Sequence, residues 1–351
     1  MKHILKLIQS ALLIFIFVAG CDTDKLHDMN INPNAVNQID VNYFLTAAEL
    51  SASNNGLRDD RYTDWRTNIG MCAHAIQQLA STSTGTISVG DKYLENDVEP
   101  SNAPWDHFFA GDGRVTMEII KQTGPGGWYE GRKINTRHAA RILRVLCFHR
   151  LTDWYGSIPY FEANQGIEGI FQPKYDKQKD IYADLFKELD EACAAMSPSH
   201  PDEGFANADY YFNGDIAKWK KFGYSLMLRL AMRVSNVDAA MANTWVTKAI
   251  QGGVMSSNDD NVIATMALGP SEWTNQNGIS RGFAPGDGGQ WQSSFLSKTF
   301  VDWLMGPDKN STADDDPRLM IFTAGIIKWT PNEVVFYETD PLKQRGLPNG
   351  L

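Results

Sequence analysis

Between positions 180 and 253 apolar residues return every three or four positions, and a chain patterned this way is committed to α-helices that bury one face against each other. Ile181, Leu185, Leu189 and Cys193 form one stripe, started by Asp180 and stopped by Pro198. Asp215 opens a longer helix in which Trp219, Phe222, Leu226, Leu230 and Val234 share a face while Lys220 and Lys221 point outward. Asp238 caps another, through Met241, Trp245 and Ala249 to the stop at Gly252-Gly253. Upstream, Thr136 caps a helix carrying Ile142, Val145, Leu146 and Leu151, which Gly156 and Pro159 end. Residues 41–52, 62–79 and 105–122 follow the same habit, and strand alternation is confined to Glu-Val-Val-Phe-Tyr-Glu-Thr from Glu333. The predicted fold is mainly α: tetratricopeptide-like helical pairs with long irregular loops and little β. The repeat pattern W-x2-L-G-x2-Y maps loosely onto Trp219, Phe222, Gly223 and Leu226, where the glycine would let two helices approach closely, although the second half of that motif is absent.

The N-terminus is not part of that pattern. Lys2 and Lys6, the apolar run from Leu7 to Val18 and the small pair Ala19-Gly20 make the three-part layout of a secretory signal over residues 1–20. The run is shorter than the roughly 20 residues a bilayer-crossing helix needs. Val18-Ala19-Gly20-Cys21 resembles a lipobox, so Cys21 is read as the lipidated first residue of the exported chain. The rival readings are a retained transmembrane anchor and a plainly secreted chain with an incidental Cys21. Residues 21–40, with Asn30 to Asn37 favouring turns over helix, form a tether, and residues 41–351 form the helical domain.

The formal net charge is −10, which argues against a nucleic-acid partner and leaves lipid rather than a basic face to hold the membrane. With Cys21 assigned to the anchor, Cys72, Cys147 and Cys193 remain, too few and too widely spaced for a disulfide framework. Cys147 and Cys193 read as small buried hydrophobes.

The lipobox, Asn32-Pro33-Asn34, Leu-Thr-Asp-Trp-Tyr-Gly-Ser-Ile-Pro-Tyr at 151–160 and the long segment 214–238 together resemble the SusD/RagB-like nutrient-binding outer-membrane lipoproteins. The likeness continues through 249–262 and Asp315-Asp316-Pro317-Arg318-Leu319, so it covers essentially the whole exported chain. Gly223-Tyr224 stands where relatives commonly carry Ala-Asn. The chain stops at Leu351, where relatives run on, so it resembles the N-terminal majority of such a protein. The resemblance implies a surface-exposed lipoprotein facing outward, which hands oligosaccharides or peptides to a SusC-type TonB-dependent transporter. Asp22 and Asp24 then look like a surface-export signal, with solvated tether residues as the plainer reading.

A sugar site needs flat aromatic faces beside groups that pair with hydroxyls. Residues 271–295 supply both in a stretch too rich in Gly, Asn and Pro for helix: Trp273, Phe283 and Trp291 as platforms, and Asn275, Asn277, Arg281 and Asp287 as polar partners. Pinning of the loop to the helical body by the same aromatics is the competing reading. A second candidate is the polar connection 81–105 with Tyr93. Gly278-Ile279-Ser280-Arg281-Gly282 matches G-x-S-x-G, but its flanks lack the strand and helix a nucleophile elbow requires. Zinc-protease, phosphate-loop and dinucleotide motifs are absent from the sequence. Residues 308–316 offer alternating oxygens but no calcium-loop glycine or closing glutamate, and read as a solvated turn. The sequence therefore points to a non-enzymatic binding protein with no cofactor and no metal. A helical adaptor without nutrient binding and, more remotely, a secreted hydrolase are the alternatives.

Overall fold

A computed structural model of the chain describes residues 39–54, 63–82, 90–93, 99–200, 202–266, 294–323, 326–330, 333–336 and 338–350, with positions 29, 278 and 279. The body begins with α1 (Val41–Ala52), followed by a wide-turned π-helical segment, Thr63–Ala73, and the three-residue β1 (Leu79–Ser81). Helix α2 (Glu99–His107) runs through a π turn, Phe108–Asp112, into α3 (Gly113–Gln122). Next come α4 (Ile134–Tyr155), the two-residue strands β2 (Ile158–Pro159) and β3 (Tyr175–Asp176), and α5 (Gln178–Ala195). Two stacked helices, α6 (Ile216–Val234) and α7 (Ala239–Gly252), precede β4 (Ser294–Leu296), α8 (Lys298–Leu304), β5 (Ile326–Thr330) and β6 (Glu333–Phe336). Among the described residues each sheet is a single antiparallel pair: β1 with β4, β2 with β3, and β5 with β6.

The helices pack in sequence, α1 and α3 on α4, α4 on α5, α5 on α6, and α6 on α7, as predicted for consecutive pairs. One apolar core runs through all of them, and a smaller one lies under α8 around Val301, Leu304, Met305 and Leu319. Asp215 and Asp238 cap their helices as expected, accepting from the Lys218 amide at 3.1 Å and the Met241 amide at 2.9 Å. Gly223 sits where α6 crosses α5 and α4. A Cβ there would lie 2.3 Å from Cys193 Sγ and 3.2 Å from the Ile142 side chain, so only glycine permits this approach. Cys193 is fully buried, and burial pushes its thiol up to about 12, in keeping with a hydrophobe's role.

Three local expectations are corrected. Helix α4 begins at Ile134 after Lys133 in the left-handed region (φ 53°), because Thr136, read as the cap, turns its hydroxyl to Asp202 (3.1 Å) and Asn42 (3.3 Å). Asp180 lies in the first turn of α5 and does not start it, since the helix opens at Gln178. Lys220 and Lys221 are half-buried, and Lys221 pairs with Asp260 at 2.7 Å where α6 meets the loop after α7.

Helix α4 lies at the centre of the stack and buries polar residues beside its apolar ones. Arg141 forks onto Glu188 at 2.7 and 2.9 Å and reaches Glu191 at 2.6 Å, tying α4 to α5. Arg144 lies over the rings of Phe148 and Tyr160, 4.5 and 4.6 Å from their centroids. A second polar knot joins α1 to α6. The buried Trp219 indole donates to Asp209 at 2.8 Å, and the same carboxylate accepts from the amides of Tyr211, Phe212 and Gly214. Beside it, burial and then the charge of Asp209 push Glu49 up to about 10, so Glu49 keeps its proton.

Candidate functional site

The start of one loop singled out in the sequence pairs with the end of the other. Strand β1 opens the connection 81–105, β4 closes the segment 271–295, and they pair antiparallel with Leu79 opposite Leu296, Ala80 opposite Phe295 and Ser81 opposite Ser294. Short strands with no alternation carry no sequence signal, which is why this pairing was not predicted. The strand pair, a short ledge, is fastened at its Leu79–Leu296 end. Ser297 donates its amide to Gln78 O (3.0 Å) and its hydroxyl to Gln77 O, and Thr299 Oγ1 reaches Gln77 Oε1 at 3.0 Å.

The C-terminal stretch adds a third layer. Leu347 bridges Ser297 in parallel, donating to Leu296 O at 2.9 Å and accepting from Lys298 N at 2.7 Å. Gly346 touches Ser297 so closely that a Cβ would lie 2.2 Å from its carbonyl oxygen. Asn349 Nδ2 donates to Leu79 O at 3.0 Å. Buried Asp91 gathers the parts, accepting from Ser81 N at 3.1 Å and Gly350 N at 3.3 Å, with Lys92 Nζ 3.4 Å from its other oxygen and 2.7 Å from Ser81 O. Beneath the ledge, burial lowers the pKa of His74, which donates from Nδ1 to Ile69 O at 2.6 Å. Two aromatic rings remain open to solvent here: Tyr93, 72% exposed with a left-handed backbone (φ 53°), and Phe295, 46% exposed.

Trp273, Asn275, Asn277, Arg281, Phe283, Asp287 and Trp291, together with Ser280 and Cys21, lie outside the described residues. Among the described residues of the two segments, Phe295 lies in the strand pair itself and Tyr93 lies within the connection 81–105, its hydroxyl 3.4 Å from Ala75 O. Residues 308–316 form a turn in which the Lys309 ammonium takes carbonyl oxygens, Gly306 O at 2.5 Å and that of Asp302. Among the described residues no helix is long and apolar enough to cross a membrane.

The architecture is a stack of paired helices with short strand pairs at its connections, β1 and β4 being joined across the whole stack in sequence. The chain belongs to the SusD-like family, whose sequence profile, described as "Starch-binding associating with outer membrane", matches residues 33–339. No curated protein sequence matches it significantly. Among solved structures it is similar to a chitin-binding protein at 31% identity and a TM-score of 0.67, over 89% of this chain and 60% of that one. A SusD-like protein from Bacteroidetes AC2a matches at 28% identity and a TM-score of 0.65, over 80% of this chain and 50% of that one. A chitin-binding SusD homolog from Flavobacterium johnsoniae shares the fold at 21% identity, with a TM-score of 0.63 over 89% of this chain and 57% of that one. The chain thus spans half to three-fifths of the length of these proteins.

Proposed function

We propose that this chain is a non-catalytic, surface-exposed outer-membrane lipoprotein that binds oligosaccharide across the two joined loops and passes it to a SusC-type TonB-dependent transporter. The observation that supports the reading is the pairing of β1 with β4, which joins the start of the connection 81–105 to the end of the segment 271–295, whose sequence carries the tryptophans and amides. Family membership and the chitin-binding names of two structural relatives support a saccharide over a peptide. In this reading residues 1–20 are the export signal, Cys21 carries the lipid, residues 21–40 are the tether, and Trp273, Phe283 and Trp291 supply ring platforms with Asn275, Asn277, Arg281 and Asp287 as hydroxyl partners.

The test is titration calorimetry of the full chain with chito- and malto-oligosaccharides and with peptides of similar length. Each stacked indole face contributes roughly 1–2 kcal/mol, so Trp273→Ala or Trp291→Ala should weaken saccharide binding about five- to thirtyfold with an unchanged melting temperature. Unchanged affinity with a lowered melting temperature would assign these rings to loop packing, and binding of peptides alone would replace the saccharide.

A further inference from the structure

A second recess lies away from the ledge, between α1, the π-helical segment, α2 and α4, with a volume of about 110 Å³. Its floor is apolar, from Phe108 and Leu151, and both are buried. Its walls carry Asn54, Asn68 and Arg150, and the indole of Trp154, 38% exposed, contributes to its lining. Asp64 fixes the two amides from behind, accepting from Asn54 Nδ2 at 2.9 Å and from Asn68 Nδ2 at 2.7 Å. Each amide then keeps a second N–H and a carbonyl oxygen, and neither carbonyl has a hydrogen-bond partner among the described residues. Arg150 holds one long hydrogen bond, to Ala52 O at 3.4 Å, leaving most of its five donors unused among the described residues.

We infer that this recess takes the N-acetyl group of an amino sugar, with Trp154 covering part of the attached ring. The inference rests on the glycan-binding reading and narrows its substrate class. Size comes first: pockets that engulf whole drug-sized ligands measure roughly 300 Å³ or more, whereas about 150 Å³ encloses a benzene-sized group. A recess of about 110 Å³ therefore suits a substituent and not a full pyranose ring. Chemistry selects which substituent. An acetamido group presents a methyl for the Phe108 and Leu151 floor, a carbonyl oxygen for an arginine or amide donor, and an N–H for an asparagine carbonyl. A carboxylate fits less well. Burial raises the pKa of Asp64 against the opposing pull of its amide partners and Arg150, so the site already strains to hold one carboxylate behind its wall, and Asp112 adds a further acidic group to the lining. A bare hydroxyl would leave the apolar floor against water.

N,N′-diacetylchitobiose and cellobiose share ring, linkage and length, and differ in the acetamido group that replaces a hydroxyl. Calorimetric titration of the full chain should show at least a tenfold preference for diacetylchitobiose. Asn68→Leu should cut that preference to about twofold, and Trp154→Ala, a change at a partly exposed position that spares the amides, should weaken diacetylchitobiose at least fivefold. Trp273→Ala and Trp291→Ala should leave the preference in place even where they weaken both sugars. A parent that binds both disaccharides equally, or a preference untouched by both Asn68→Leu and Trp154→Ala, overturns the acetyl pocket while the glycan reading stands. A parent that binds longer oligosaccharides but neither disaccharide also overturns it, and one that binds no saccharide overturns both.

Discussion

Gly223→Ala isolates the contact on which the helix stack turns. In an exposed helix the change would stabilise by about 0.8–1 kcal/mol, because alanine loses less backbone freedom on folding. Here the new methyl would meet Cys193 Sγ at 2.3 Å, well inside the roughly 3.5–4 Å of an ordinary non-bonded contact, with Ile142 closing the other side at 3.2 Å. Neither neighbour can retreat, since both are fully buried in the shared core. Overpacking costs about 1–3 kcal/mol, and an approach this short lies at the upper end, about 2–3 kcal/mol, so the net change is a loss of about 1–2 kcal/mol and, for a body of about 310 residues, a melting temperature lower by about 2–3 °C. Chemical denaturation and calorimetry of Gly223→Ala, Cys193→Ala and the double variant measure it. Cys193→Ala should destabilise alone by leaving a small void, whereas in the pair the added methyl fills the space the sulfur vacates. A favourable coupling of about 1–3 kcal/mol is therefore expected. A Gly223→Ala protein that melts at or above the parent, or a double variant whose losses simply add, would refute the close crossing of α5 and α6.

Glu49 binds its proton far more tightly folded than unfolded, so its contribution is fully present below its ordinary value near 4.5 and is lost as pH rises toward about 10. Glu49→Gln should therefore flatten the fall of melting temperature between about pH 5 and 9 and raise stability at the alkaline end, and a parallel pH profile would contradict the protonated assignment. Cys21→Ala should abolish incorporation of labelled fatty acid and release the protein from the membrane, and labelling equal to the parent's would remove the lipid anchor. Ser280→Ala should change saccharide affinity by less than the factor that about 1 kcal/mol allows, while a serine-dependent ester or amide turnover would establish a hydrolase instead.

Much of the helical body was legible because burial and periodicity agree along α5, α6 and α7: Leu185, Leu189, Trp219, Leu226 and Leu230 are core residues where the stripes placed them. Helix α4 was legible as a helix but not as the centre of the stack. A helix covered on all sides loses its polar face, and the buried Arg141 and Arg144 look like surface residues until Glu188 and the Tyr160 ring are placed against them. The start of α4 was misread because Thr136 finds tertiary partners, Asp202 and Asn42, in place of the local amides a cap would serve. The pairing of β1 with β4 was out of reach, for strands of three residues leave no pattern and these two lie on opposite sides of the helical body in sequence. The recess at Asn68 was equally hidden, since its walls come from separate helices and its two amides are aligned by Asp64, which nothing in the local pattern marks.

The hydroxyl of Ser297 reaches the carbonyl of Gln77 across 220 residues of chain. The entropic cost of such a closure grows only with the logarithm of its length, so it weighs little on the finished protein. Its weight falls on timing. Contacts between neighbouring helices form early, and contacts this remote in sequence form late, after the helices that separate the two strands have packed. A chain emerging from its N-terminus carries β1 unpaired until β4 and Leu347 have both arrived. Any ligand that spans the two loops is then invisible to a half-folded molecule, and one that does bind holds the late closure shut by mass action.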